Sequence, residues 1–195
     1  MSSVLPVPTR PRGRVAGGVG SPLIVGVGCA LLLARLGVLV MPGPTRTLAL
    51  AAILGSVAVA SLLVPVPTDR PRLRPTVVLG IGLAGLGAAA ITAGRPVAFP
   101  STAWAIPLGL LAAVAEEALL RRVLYARLEP AGAVIAIGVT AVLFASLHVP
   151  LYGWAAFPVD LGAGLLLSWQ RWASGTWTVP AATHAAANLL ATVMR

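Results

Sequence analysis

Seven apolar runs divide this 195-residue chain, and most are long enough to cross the hydrocarbon core of a bilayer as a helix. Apolar residues make up 58% of the chain and charged residues only 10%, and the mean hydropathy is +0.94. This balance excludes an ordinary soluble domain. The sequence therefore predicts an all-α fold, a polytopic membrane helix bundle with about seven transmembrane helices, at 22–41, 47–66, 76–94, 101–121, 133–149, 158–172 and 177–193.

The amino-terminal segment differs in composition from the rest of the chain. Residues 1–20 contain Pro, Gly, Ser and three Arg without periodicity, which is typical of a flexible basic tail. The first apolar run is not interpreted as a signal peptide, because it is about as long as a full span and further spans follow it. We therefore expect a cytoplasmic tail at 1–20 and a single transmembrane domain at 21–195.

All fourteen basic residues are Arg, and their placement predicts an orientation, because short cytoplasmic loops carry an excess of basic residues. One side of the predicted bundle receives Arg10, Arg12, Arg14, Arg70, Arg72, Arg74, Arg122, Arg127 and Arg171, and the other receives Arg46, Arg95 and Arg195. We expect a protein of the cell (inner or plasma) membrane with a cytoplasmic N-terminus and an outside C-terminus. The composition hints at a bacterial source. The net charge of +9 is too dispersed to indicate nucleic-acid binding.

Two adjacent acids, Glu116 and Glu117, interrupt the fourth span in AVAEEALLRRVLYARLEP. An ionised side chain at a helix centre costs roughly 2.5–3.5 kcal/mol, whereas each large aliphatic side chain gains about 0.3–0.6 kcal/mol. The two glutamates cancel the apolar gain of this helix. Such acids usually face the bundle interior and form a polar site. The alternative is that they mark the cytoplasmic interface beside Arg121 and Arg122.

Both histidines of the chain lie in predicted spans, each with a partner four residues away on the same helix face. Phe144 precedes His148 in FASLH, and Asn188 follows His184 in HAAAN. A helical hairpin turning at 128–132 would hold Glu116 and His148 at the same level, where they can face each other. The sequence therefore predicts a site inside the bundle.

These residues also carry a family resemblance. EEALLR (116–121), FASLH (144–148) and HAAAN (184–188) match in order the motifs EExxxR, FxxxH and HxxxN/D. The chain resembles the CPBP family of intramembrane proteases, which includes the type II CAAX prenyl endopeptidases and bacterial Abi-type proteins. The resemblance covers about residues 101–193, the motif-bearing core. It implies an endopeptidase that hydrolyses a peptide bond of a membrane-associated protein or peptide.

The resemblance implies that Glu116 and His148 activate a water and that His184 and Asn188 stabilise the oxyanion. The residues themselves favour the same division between the acids. Glu117 and Arg121 have the i, i+4 spacing of an ion pair, whereas Glu116 lies about 100° around the helix and has no such cation. Glu116 is therefore predicted as the base, with Glu117, Arg121 and Phe144 as supporting residues.

Two alternatives stay open. Glu116, His148 and His184 could instead ligate a catalytic zinc, with Glu117 as the base, although the absence of HExxH favours a mechanism without a cofactor. A non-catalytic immunity or scaffold protein, or a small proton-coupled transporter, could use the same residues. The expected partners are the lipid bilayer and a membrane-associated substrate, with no nucleic acid, and the oligomeric state is not predicted.

Two further charged residues fall inside predicted spans. Arg35 is expected either to extend to the interface or to face the bundle. Asp160 could contact the site, but an acid at a helix N-terminus is more often a cap or dipole partner, which is the favoured expectation. The depth of the site is ambiguous. Arg121 and Arg122 place Glu116 one or two turns inside the cytoplasmic interface, whereas VPLYGW (149–154) after His148 predicts an exit from the opposite face. Both hold only if helices four and five protrude into the cytoplasm or if 149–158 folds back into the bundle.

Overall fold

The computed structural model describes residues 20–67, 69–92 and 104–193, and every regular element in these ranges is helical. The predicted tail at 1–20 lies outside the described residues except for Gly20. The α-helices are α1 (Gly20–Leu39), α2 (Gly43–Leu63), α3 (Pro75–Thr92), α4 (Ala105–Glu117), α5 (Tyr125–Leu128), α6 (Ala133–Tyr152), α7 (Phe157–Ser174) and α8 (Thr178–Val193).

A π-helical segment, Ala118–Leu124, joins α4 to α5 without a break. The fourth helical segment therefore continues to Leu128, beyond the predicted boundary at residue 121. The prediction ended this span at its charged residues, but Arg121 is fully buried inside the bundle. A 3-10 turn, Glu129–Ala131, and Gly132 then reverse the chain into α6, with Gly132 at a φ of 114°. A glycine adopts this φ without the steric penalty of a side chain.

The described residues form seven helical segments when α4, the π-helical segment and α5 are counted as one. Each segment corresponds to one predicted span, so the predicted all-α membrane bundle is confirmed. Three of these helices are both long and apolar enough to cross a membrane, at Pro22–Leu39, Gly43–Leu63 and Ala133–Tyr152. The sixth segment, α7, extends slightly beyond the predicted 158–172 at both ends.

The polar motifs lie on the most enclosed helices. α4 packs between α2 and α8, the π-helical segment contacts α1, α2 and α6, and α6 lies along α7. The apolar core around them combines residues of six elements: Leu32, Leu54, Val57, Ala58, Ala115, Leu119, Leu120, Phe144, Leu147 and Leu167. The same packing that buries these side chains removes the neighbouring glutamates from water and lipid.

One end of the bundle is held together by charged groups. Arg171 Nη2 lies 2.5 Å from Asp69 Oδ2, and Arg171 Nε donates to the carbonyl of Arg121 at 3.0 Å. Arg72 Nη1 donates to the carbonyl of Trp172 at 2.7 Å. Arg72 and Arg171 therefore share an end of the bundle, as their placement in the sequence predicts. Which face of the membrane this end occupies stays a prediction.

α6 and α7 approach closely at Gly164. A Cβ built on Gly164 would lie 2.9 Å from the carbonyl oxygen and 3.0 Å from the Cα of Ala141. Small residues allow such close approaches between membrane helices. The Gly164 carbonyl also accepts a hydrogen bond from Arg121 Nη2 at 3.2 Å, so this contact fixes an acceptor beside the motif residues.

We expect Gly164→Ala to destabilise the protein by about 1–3 kcal/mol, because the added methyl group must displace the backbone of α6. Gly162→Ala is the matched control on the same helix, since nothing lies within 4 Å of a Cβ at that position. Thermal unfolding in detergent measures both variants. Equal unfolding temperatures for the two variants would contradict the close packing of α6 on α7.

Candidate active site

The two adjacent glutamates at the end of α4 are both buried, with 2% of Glu116 and none of Glu117 exposed. Neighbouring residues on a helix point about 100° apart, so the two carboxylates meet different parts of the bundle. Glu117 faces α8 through His184, and Glu116 faces α1 and α6 through Arg35 and His148. The interface interpretation of these acids is wrong, because both lie in the bundle interior.

Glu117 anchors a network that joins three motif residues. Arg121 Nη1 donates to Glu117 Oε1 at 2.9 Å, which confirms the predicted i, i+4 ion pair. His184 Nδ1 lies 3.0 Å from the same oxygen. The Arg121 guanidinium also lies over the Phe144 ring, 4.7 Å from its centroid. Glu117 therefore positions His184 while its charge is compensated by Arg121.

Phe144 packs against both histidines, which gives its place in the FASLH motif a physical reason. Its ring centroid lies 4.3 Å from that of His148 and 5.4 Å from that of His184. An aromatic ring at this position restricts the orientation of both imidazoles and covers Arg121. Phe144 thus contacts both histidines and Arg121, and its supporting role stays a prediction.

Glu116 and His148 face each other, as the hairpin geometry predicts. His148 Nε2 lies 3.7 Å from Glu116 Oε2. The prediction that Glu116 is unpaired is wrong, however, because Arg35 Nη1 donates to Glu116 Oε1 at 2.5 Å. Helical spacing identifies only cations on the same helix as Glu116, whereas Arg35 lies on α1. Of the two expectations for Arg35, the structure supports the one that faces the bundle.

The hydrogen bonds of the imidazoles define their tautomers. His148 Nδ1 lies 2.8 Å from the carbonyl of Phe144, and a carbonyl only accepts, so Nδ1 carries the proton. His184 Nδ1 carries its proton for the same reason, because it contacts the Glu117 carboxylate. In the neutral form of each ring, Nε2 is therefore an acceptor. This leaves two acceptors, Glu116 Oε2 and His148 Nε2, directed at one another.

Asn188 lies one helical turn beyond His184 on α8. Its Nδ2 donates to the carbonyl of Gly109 at 2.9 Å, and Gly109 precedes Glu116 on α4 by seven residues. This bond ties α8 to α4, and one hydrogen of the amide stays available for a second acceptor. The oxyanion role of Asn188 stays a prediction.

Asp160 is a residue that the sequence argument set aside and the structure brings to the site. It occupies the first turn of α7, but α7 has no side-chain cap hydrogen bond. Its carboxylate interacts electrostatically with Glu116, His148 and His184. Asp160 Oδ2 is buried and has no hydrogen-bond partner among the described residues. The available signal was a charged residue within a membrane helix, which by default marks a functional site.

The helices that carry Glu116 and His148 continue for different lengths beyond these two residues. Arg121 is completely buried, and the partly buried Arg122 donates to the carbonyl of Ser61, so both arginines are bound within the bundle. Their level in the membrane stays a prediction. Helical structure continues from Glu116 through the π-helical segment to Leu128. On the other side, α6 ends at Tyr152, four residues after His148, and the 3-10 turn Trp154–Ala156 leads directly into α7.

The side chains do not fit the zinc alternative. Within residues 20–67, 69–92 and 104–193, no three His, Cys, Asp or Glu side chains are grouped closely enough to hold a metal ion. Glu116 Oε1 is bound to Arg35, and His184 Nδ1 to Glu117. We therefore derive no step of the chemistry through a metal.

Comparison with known proteins addresses the carboxyl-terminal half of the chain. Residues 98–190, just under half of the chain, match the family model described as type II CAAX prenyl endopeptidase Rce1-like. No curated protein and no solved structure matches the chain. The matched segment contains EEALLR, FASLH and HAAAN in full. The predicted family resemblance is therefore confirmed over this segment, and residues 98–190 carry the pattern of the Rce1-like type II CAAX prenyl endopeptidases.

Proposed function

We propose that this protein is an intramembrane endopeptidase that hydrolyses a peptide bond of a membrane-associated protein or peptide. The family match supports the reaction class, and the apolar helices support a site within a membrane. The observation that carries the proposal is the 3.7 Å separation of Glu116 Oε2 from His148 Nε2. This pair has the geometry and the chemistry to activate a water.

The separation of 3.7 Å is too long for a direct hydrogen bond but suits one water bound by both atoms. Glu116 Oε2 has no hydrogen-bond partner among the described residues. Both atoms are acceptors when His148 is neutral, so a single water donates one hydrogen to each. Its lone pairs are then free to attack a peptide carbonyl, and its proton passes to Glu116 as the C–O bond forms.

His184 and Asn188 on α8 can stabilise the resulting oxyanion. Because His184 Nδ1–H donates to Glu117, its Nε2 becomes a donor only in the imidazolium form, which a carboxylate on Nδ1 orients and stabilises. The free amide hydrogen of Asn188 is a second donor. Such donors act strongly in a site that excludes water. Protonated Glu116 then returns its proton to the leaving amine as the C–N bond breaks.

The supporting residues hold this arrangement in place. Arg121 compensates Glu117 and binds the carbonyl of Gly164, so its guanidinium connects α4, α7 and the Phe144 ring. Asp160 adds a third carboxylate that interacts electrostatically with both histidines. We place the protein in the cell membrane with its N-terminus in the cytoplasm, which the arginine distribution supports. Residues 21–195 act as one transmembrane domain in this proposal.

We expect Glu116→Gln and His148→Ala to lower kcat by at least about 100-fold, since a general base contributes roughly 10²–10⁴ in rate. The assay uses purified protein in proteoliposomes with two probes, a farnesylated CAAX peptide and an unprenylated peptide carrying an apolar anchor. Mass spectrometry identifies new peptide ends. Ser146→Ala is the matched control, because Ser146 lies on α6, is exposed and bonds only to its own helix.

Cleavage by wild type and Ser146→Ala, but not by the two site variants, supports the proposal. Equal cleavage by all four proteins, or none by wild type on either probe, contradicts it. A cellular phenotype that survives both site substitutions would instead favour a non-catalytic scaffold. A proton flux lost with Glu116→Gln would favour a transporter.

We further expect activity to survive exhaustive chelation, with kcat within about twofold of the untreated protein, because the base and its partner need no metal to accept protons. Wild-type protein is dialysed against a strong chelator and assayed with the probe that it cleaves. Metal content is measured in parallel. Activity that falls with the metal content and returns on addition of Zn²⁺ would contradict the metal-free mechanism.

A further inference from the structure

The amino-terminal half of the chain contributes a charged group to the candidate site. Arg35 lies on α1, outside the matched segment 98–190, and only 8% of it is exposed. It continues a buried stripe on α1 between Leu32 and Val38. This stripe turns the guanidinium toward α4, where Nη1 donates to Glu116 Oε1 at 2.5 Å.

The pairing gives each of the two adjacent carboxylates its own guanidinium. Arg121 compensates Glu117, and Arg35 compensates Glu116. The EEALLR motif contains Arg121 but not Arg35. A buried carboxylate without a counter-charge is so costly that it takes up a proton instead. Glu116 therefore depends on α1 to remain an anion in this environment.

The remaining atoms of Arg35 argue against a purely structural role. Nε and Nη2 are buried and have no hydrogen-bond partner among the described residues. Buried donors without partners destabilise a fold, and a buried ion pair is weak evidence for stability. Among the hydrogen bonds and ion pairs of the described residues, the contact with Glu116 is the one that Arg35 makes.

We propose that Arg35 is a positioning residue for peptide hydrolysis. Its Nη1–H holds Glu116 Oε1, which keeps Oε2 directed at His148 Nε2 and keeps the carboxylate ionised to accept a proton from water. The inference rests on the proposed function. It makes α1 part of the site, although the matched segment begins at residue 98.

The packing of α1 is suited to holding this contact. Gly28 lies against Leu119 so closely that a Cβ on Gly28 would be 2.7 Å from Leu119 Cδ1. Leu119 follows Glu116 by three residues and lies on the same side of the helix. The close contact brings α1 next to the π-helical segment, and Arg35 reaches the carboxylate from two turns further along α1.

The first test measures kcat and KM in proteoliposomes for wild type, Arg35→Gln, Arg35→Lys and Arg35→Ala, with the probe that the wild type cleaves. We expect Arg35→Gln to lower kcat about 100-fold while KM stays within about threefold, because the base is impaired and substrate contacts are not. Arg35→Lys keeps the cation and should retain kcat within about tenfold. Added guanidinium ion should restore part of the activity of Arg35→Ala.

Arg122→Gln is the matched control, since Arg122 is partly buried and donates to a backbone carbonyl instead of a carboxylate. A merely structural role for Arg35 would lower the yield of folded protein without a kcat effect and without rescue by guanidinium. Wild-type kcat in Arg35→Gln, equal losses in Arg35→Gln and Arg122→Gln, or a loss confined to KM would each overturn the inference.

A second measurement needs no substrate and separates this inference from the proposed function. Infrared spectra of ¹³C-glutamate-labelled protein at neutral pH should show the C=O stretch of a protonated carboxyl in Arg35→Gln. The band should be absent from wild type and from Arg35→Gln/Glu116→Gln. Its absence from Arg35→Gln would overturn the inference, whereas failure of the wild type to cleave either probe would contradict the proposed function alone.

Discussion

The structure depends on the requirement that charges buried in an apolar bundle be compensated. Two adjacent carboxylates lie in the interior of the helix bundle, and each is bound by a buried guanidinium. Removing one partner of such a buried pair commonly destabilises the folded protein by about 3–5 kcal/mol. The surrounding helices are arranged around this requirement, because Arg121 also binds α7 through the carbonyl of Gly164. The polar centre thus organises the helix packing as well as the chemistry.

The π-helical segment allows these charges to be buried within one helix. It begins directly after Glu117 and includes Arg121. π-helical turns are rare and often occur at functional sites. Here the wider turn faces α1, α2 and α6, and the carbonyl of Arg121 is bound by Arg171 from the end of the bundle. Hydrogen bonds therefore connect the charged end of the bundle to the residues that hold Glu117.

Local spacing was sufficient to predict part of the site. The i, i+4 spacing predicted the Glu117–Arg121 pair, and the hairpin predicted that Glu116 would meet His148. Spacing could not identify Arg35 as the partner of Glu116, because the two residues are 81 positions apart and meet only through helix packing. The continuation of the helix past Arg121 was missed for a related reason, since its charge suggested a boundary, whereas its contacts with Gly164 and Arg171 are tertiary.

Because Arg35 on α1 pairs with Glu116 on α4, the buried charged residues lie partly inside and partly outside the matched segment. The matched segment 98–190 contains Glu116, Glu117 and Arg121 but not Arg35, the fourth member of the two ion pairs at the end of α4. A chimera that joined this segment to an unrelated amino-terminal half would contain both glutamates with one guanidinium. Charge balance at Glu116 therefore links the matched segment to the amino-terminal half of the chain, where Arg35 lies.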